Sequence, residues 1–346
     1  MAIVSRRSYN CAFSMAIDVK SAMVLKKRKS SVENWCATAE STRRIPSVFS
    51  PTINGVEIED TFAEAFTMRG ARVIITAATP RWARVAATVM TGFATSVIGC
   101  KVEAGIEHEV SPDDTPDGRP GISVLVFTPD SAGLQQRLIE RLGQTVLTCP
   151  TTAVFDGIPS STDRMPVGKA LRIFGDGFQA SKMIGGIRYW RVPVMEGEAL
   201  IQETFGKVSA VGGGNFLMLA ETAEKALQAA EAAVAAITGL PGVILPFPGG
   251  IVRSGSKVGS RRYKSLLAST NDAFAPTLRE ITTTDLPEGV NGVMEIVLDG
   301  LDFDSISRAM RAGIPAACIP GVKKITAGNY GGKLGPHHFY LRKIVA

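Results

Sequence analysis

One carboxylate in this chain sits in the middle of an apolar run. Glu295 lies within Val293-Met294-Glu295-Ile296-Val297-Leu298. A strand there would put it on the face of Val293 and Val297, opposite Met294 and Ile296. On an inward face, desolvation would raise its pKa towards neutrality and let it take up and return a proton. On an edge strand it would face water, and both environments fit the pattern. Two glycine-rich segments accompany it: residues 247–272, FPGGIVRSGSKVGSRRYKSLLASTND, and residues 325–338, ITAGNYGGKLGPHH. Glycine permits positive φ and close approach of backbone N–H groups to a ligand, so each loop can receive anionic oxygens beside its lysine, Lys257 or Lys333. Each can equally be a tight turn with a solvated lysine. Asn215, Asn271, Asn329 and Ser269 add amide and hydroxyl groups for substrate binding. Together these residues suit transfer of a small group between two bound molecules: donors for an oxyanion, a carboxyl for protons, cations for acidic ligands.

Several familiar chemistries are disfavoured. Gly250 and Gly255 have the P-loop separation, but Ser256 stands where the lysine should be; Gly332-Lys333 lacks the earlier glycine and is followed by Leu334. Gly212-Gly213-Gly214 does not continue as a dinucleotide fingerprint. In Gly255-Ser256-Lys257-Val258-Gly259 the serine comes one place early for a nucleophile elbow. The three histidines include adjacent His337 and His338, which a strand would point to opposite faces, so no metal ligand set is assigned. Five cysteines at wide spacings without CxxC fit reduced thiols and a cytoplasmic location.

The elements that must position these groups fall into two units. Thr61 followed three residues later by Glu64 is a capping-box pattern, and Gly70 can close the helix it predicts over 61–70. A strand over 71–78 follows, then a helix from Thr79-Pro80 to Gly92, a strand at 94–102, a turn-rich loop at 113–121, a strand at 122–128, a helix over 131–143 and a strand near 144–149. In the second unit a strand at 215–220 enters a helix capped by Thr222, with Ala226, Leu227, Ala230, Ala233, Val234 and Ile237 at helical spacing. A β run at 243–247, a strand at 293–298, a helix over 304–313 and a strand at 322–326 complete it. Both units have the order β-α-β-β-α-β, which predicts an α+β fold of two ferredoxin-like (split β-α-β) sandwich lobes, over 51–193 and 194–346.

With 346 residues, 45% hydrophobic and 20% charged, the composition is that of a soluble globular protein. The net charge of +6 is local: residues 1–50 hold nine basic and three acidic side chains, leaving 29 of each in the remainder. The neutral remainder gives no electrostatic case for nucleic acid. Residues 1–50, with the run Lys26-Lys27-Arg28-Lys29, read as a disordered basic extension; a targeting segment and an upstream start codon are the alternatives. No apolar run reaches the roughly 18–20 residues of a membrane span.

The motifs INGVEIEDTFAEAF (53–66), ITAA (75–78), DDTPDGRPG (113–121), FGDGF (174–178), GGNF (213–216), FPGGIV with SGSKVGS (247–260), ASTNDAF (268–274) and AGNYGGKLG (327–335) resemble those of formylmethanofuran:tetrahydromethanopterin formyltransferase, in order, from about Ile53 to the end. The resemblance implies two ferredoxin-like lobes, a homo-oligomer (tetramer), and reversible formyl transfer between the methanofuran amine and N5 of tetrahydromethanopterin, both as co-substrates with no bound cofactor. It also implies a reaction-centre glutamate in the segment matching VMEIVL, which is Glu295. The neutral core and the 50-residue extension depart from the acidic archaeal members. They favour the bacterial proteins of methylotrophic one-carbon oxidation, where the formyltransferase is one subunit of a formyltransferase/hydrolase complex. Hydrolase-type subunits would then be partners. The alternative is a non-catalytic subunit that binds methanofuran or organises such a complex.

Overall fold

A strand of 15 residues, β1 (Phe62–Thr76), runs inside the sheet where the capping-box pattern predicts a helix over 61–70. The computed structural model describes residues 51–346, so the basic extension expected over 1–50 lies outside the described residues. The helix expectation fails for a tertiary reason. Glu64 turns its carboxylate to a distant loop instead of the local backbone, and a Cβ on Gly70 would lie 2.9 Å from the Phe127 ring, where a neighbouring strand packs. Cross-strand pairing on both sides thus overrides a local helix signal.

β1 is followed by α1 (Pro80–Thr91), capped by Thr79 with Pro80 in its first turn and ended at Gly92. Then come β2 (Glu103–Val110), β3 (Gly121–Thr128), α2 (Ser131–Arg141) and β4 (Ala153–Asp156). Two expected strands are displaced. Residues 97–100 form a short helix because the Ser96 hydroxyl accepts from Ile98 N, and left-handed Lys101 (φ 66°) ends it before β2. Residues 142–146 continue α2 as a wide helical turn: Thr145 and Thr148, whose β-branching favours a strand, return their hydroxyls to the carbonyls of Arg141 and Gln144.

Three strands, β5 (Ala180–Ile184), β6 (Ile187–Val194) and β7 (Gly197–Gln202), lead to β8 (Val208–Ala220). The second half continues with α3 (Ala223–Ile237), the short strand Val243–Ile244, β9 (Gly292–Gly300), α4 (Phe303–Ala317), β10 (Val322–Thr326) and β11 (His337–Tyr340). α4 begins at an Asp302 cap and passes the expected stop at Gly313. That glycine is needed for close packing, since a Cβ there would meet Ile237 Cδ1 at 2.6 Å.

Among the described residues these strands belong to one 14-stranded mixed sheet. In the first half the strand order is β4-β1-β3-β2, all antiparallel neighbours. In the second it is β10-β8-β9 followed by Val243–Ile244, again antiparallel. β1 and β8 join the halves through Phe66–Gly70 and Val208–Gly212. One core packs α1 and α2 on Val73, Ile75, Val124 and Val126. Another packs α3 and α4 on Phe216, Met218, Ile296 and Ile325. A smaller apolar cluster, Leu217, Leu219, Leu286 and Val290, occupies the other face of β8 and β9, and that face carries Glu295.

Candidate active site

Strand alternation along β9 sends Met294 and Ile296 to the helices and leaves Glu295 with Val293 on the opposite face. The backbone of Glu295 is also the anchor of the first glycine loop. Glu295 N donates to Val252 O (2.9 Å) and Val252 N donates to Glu295 O (2.8 Å), an isolated antiparallel bridge. The half-buried side chain lines a cleft of about 180 Å³ together with Leu217, Arg253, Gly255, Asn271 and Phe274. Burial pushes its carboxyl up to about 7. Such a group exchanges a proton readily near neutral pH.

The first loop doubles back as a two-stranded ribbon, Ser256–Val258 against Ala268–Thr270, with Lys257 opposite Ser269. Lys257 Nζ pairs with Asp272 Oδ1, and Arg261 reaches Asp272 Oδ2 at 3.3 Å. The Lys257 hydrogen bond is the main cause of a lowered Asp272 pKa. Asp272 follows Asn271 directly, so the ion pair sits at the rim of the cleft that Asn271 lines.

The second loop leaves β10 after Thr326. Thr326 and Glu295 both pair with Leu217, from opposite sides of β8, which puts their strands about 10 Å apart on one face. Asn215 clamps the start of this loop: its Oδ1 accepts from Gly328 N (2.6 Å) and its Nδ2 donates to Gly328 O (3.2 Å). Asn329 Nδ2 donates to Thr61 Oγ1 (3.1 Å) and Phe62 O (3.2 Å). Both amides therefore spend hydrogen-bonding capacity on the loop itself. The glycine-loop N–H groups are also occupied, because Glu64, 1% exposed, accepts from Tyr330, Gly332, Leu334 and Gly335. Burial alone would raise the Glu64 carboxyl, but these four bonds outweigh it and hold it below its ordinary range. Lys333 is exposed on the same loop. Burial first, then the charges of Glu295 and Glu64, push the Tyr330 phenol up.

Of the seven residues that the sequence points to, Glu295 and Asn271 share the cleft, Lys257 and Ser269 stand on the adjoining ribbon, Asn215 and Asn329 fix the second loop, and Lys333 lies on it. Glu64, Tyr330 and Asp272 emerge only from the fold. The available signal for Glu64 is a lone charge in Phe62-Ala63-Glu64-Ala65-Phe66, the same clue that marks Glu295. Among the described residues no group of three or more His, Cys, Asp or Glu gathers as a metal site.

A recessed carboxyl poised near neutrality, an amide beside it and cations at the rim are the equipment of an enzyme that moves a group between nitrogen or oxygen centres. Comparison with known proteins gives the family. The family model for formylmethanofuran-tetrahydromethanopterin formyltransferase matches residues 52–194, and that for the proximal lobe matches residues 197–344. The chain belongs to the formylmethanofuran–tetrahydromethanopterin formyltransferase family. It is 63% identical over 302 residues to the formyltransferase of that name from Methylobacillus flagellatus, covering 85% of this chain and 99% of the relative. The solved formyltransferase of Methanosarcina barkeri is 54% identical, with TM-score 0.81 over 85% of this chain and 100% of that one. A chain of the formyltransferase/hydrolase complex of Methylorubrum extorquens, solved with methylofuran, is 50% identical, with TM-score 0.83 over 87% and 99%.

Proposed function

We propose that this protein transfers a formyl group reversibly between the amine of methanofuran and N5 of tetrahydromethanopterin, with Glu295 as the proton-transfer residue. The observation that carries the assignment of Glu295 is its place in the cleft with a pKa near 7. Attack of the acceptor nitrogen on the formamide carbon forms a C–N bond and a tetrahedral oxyanion. Ionised Glu295 takes the proton that the attacking nitrogen must lose. Protonated Glu295 then returns it to the departing nitrogen as the old C–N bond breaks, so the carboxyl ends as it began. Donors facing the oxyanion contribute roughly 2.7–4 kcal/mol each, and Asn271, which lines the cleft, is our candidate for one. Lys257, Arg261 and Lys333 suit the acidic tails of the two carriers, while Ser269 on the ribbon adds a hydroxyl. Asn215 and Asn329 serve the site by fixing the second loop.

The strand orders β4-β1-β3-β2 and β10-β8-β9 with Val243–Ile244, each with two helices, support a reading as two ferredoxin-like lobes, for which we propose the bounds 51–193 and 194–346. The relative in a formyltransferase/hydrolase complex supports hydrolase-type partner subunits, with formyl flow from tetrahydromethanopterin to methanofuran in one-carbon oxidation. We further propose a homo-oligomer, a tetramer, in the cytoplasm; Cys100, Cys149 and Cys318 are free thiols. The test is formyl exchange between the two carriers by the purified chain, with and without the Glu295→Gln change. A folded chain that binds methanofuran but gives no turnover would favour the non-catalytic subunit instead.

A further inference from the structure

We infer that Glu64 is a positioning residue for this reaction, whose carboxylate fills the anion nest of residues 330–335 and so fixes Tyr330 on the loop that leaves the sheet on the same face as Glu295. The inference rests on the formyl-transfer reading above. Four backbone N–H groups converging on one point form the concavity that elsewhere receives a phosphate or a ligand carboxylate. In this chain the nest is filled from within. Oε2 accepts from Tyr330 N (2.6 Å) and Gly332 N (2.9 Å), and Oε1 accepts from Leu334 N (2.6 Å) and Gly335 N (2.6 Å). The second glycine loop is thus not an open ligand cradle, and its shape depends on a residue 270 positions away in the chain.

The geometry links this nest to the reaction centre. Residues 327–336 hang between β10 and β11, and the row Thr326–Leu217–Glu295 sets where the loop departs relative to the carboxyl. Tyr330 is held by its own N–H to Glu64, and the charge of Glu295 bears on its phenol. A glutamine at position 64 keeps the size but turns an NH₂ donor towards two N–H groups, which then lose their acceptor. The loop would have to open, withdrawing Tyr330 and admitting water beside Glu295. Rehydration would lower the pKa of that carboxyl.

The experiment compares parent, Glu64→Gln, Glu64→Asp and Tyr330→Phe by amide hydrogen exchange and by formyl-transfer kinetics across pH. In Glu64→Gln, exchange over 327–336 should quicken at least tenfold while α3 and α4 stay protected. Its kcat should fall at least tenfold, and the ionisation near pH 7 in its pH–rate profile should move to lower pH. Glu64→Asp, which keeps the charge at shorter reach, should lie between and carries the comparison if Glu64→Gln does not fold. Combining Glu64→Gln with Tyr330→Phe should cost no more than the larger single effect. Unchanged exchange over the loop, or faster exchange with the parent's kcat and pH profile, would overturn the inference. A parent without formyl transfer would defeat the functional reading alone, and loop exchange would still decide whether Glu64 holds the nest.

Discussion

Replacing Glu295 by glutamine should cost the protein its activity and make it more stable above neutral pH. Burial moves this carboxyl from 4.5 to about 7 in the folded state, whereas an unfolded chain titrates it near the lower value. Below both values each state holds the proton and the residue is neutral to stability. Between them only the folded state holds it, so stability falls as pH rises, and the loss is complete above pH 7. At 1.36 kcal/mol per pH unit the displacement corresponds to at most about 3.4 kcal/mol. The side chain keeps some contact with water, so about 1–2 kcal/mol is the working expectation. Glutamine has the same shape and no charge to desolvate. Urea unfolding of parent and variant at pH 8, 6.5 and 4.5 measures the difference, which should favour the variant at pH 8 and shrink towards zero at pH 4.5. Turnover should drop by roughly 10²–10⁴-fold in the same preparations. A variant less stable than the parent by a constant amount at every pH would show that Glu295 is not a desolvated acid, and would refute the proposed proton transfer.

Three further outcomes follow from the site. Lys257→Met removes the main partner of Asp272 and leaves an acid at the rim; KM for the acidic carriers should rise about tenfold with kcat within about twofold, and the salt dependence of KM should weaken. Asn215→Ala deletes the two bonds that clamp Gly328, which should cost about 1–3 kcal/mol in urea unfolding and speed proteolysis of the second loop. Gly335→Ala would place a Cβ 2.3 Å from Ala65 O; overpacking against backbone should lower stability by about 1–3 kcal/mol, read as an earlier unfolding midpoint.

The place of Glu295 in an apolar strand and most of the second half are legible in the sequence, because periodicity there agrees with tertiary environment. Thr222 caps α3, β10 occupies Val322–Thr326, and the alternation in VMEIVL puts Glu295 where the apolar pattern implies. The first half misleads where a local signal has a distant owner. Thr61 and Glu64 have capping-box spacing, yet each serves the loop after β10: Thr61 accepts from Asn329, and Glu64 binds four amides. Glycine content marks the second loop as a backbone concavity, but only the fold shows that a side chain of the same molecule occupies it. Asp272 is an ordinary acid in the sequence, and its value lies in meeting Lys257 across a ribbon turn.

The pairing of β11 with the start of β1 has a consequence for how the molecule is made. Glu64 emerges from the ribosome long before its partners: Leu334 lies 270 residues later, about 15–50 s of synthesis at 5–20 residues per second. Until then Phe62–Ala65 of β1 lack β11, although Val208–Gly212 of β8 are already made and can pair with Phe66–Gly70, and an acid destined for burial has no amides to receive it. Such long-range closure slows folding. The second loop can therefore order only after nearly the whole chain has been delivered, and a truncated product that still assembles the first core would lack that loop and the nest that Glu64 fills. Catalytic competence would then itself report on the completeness of translation.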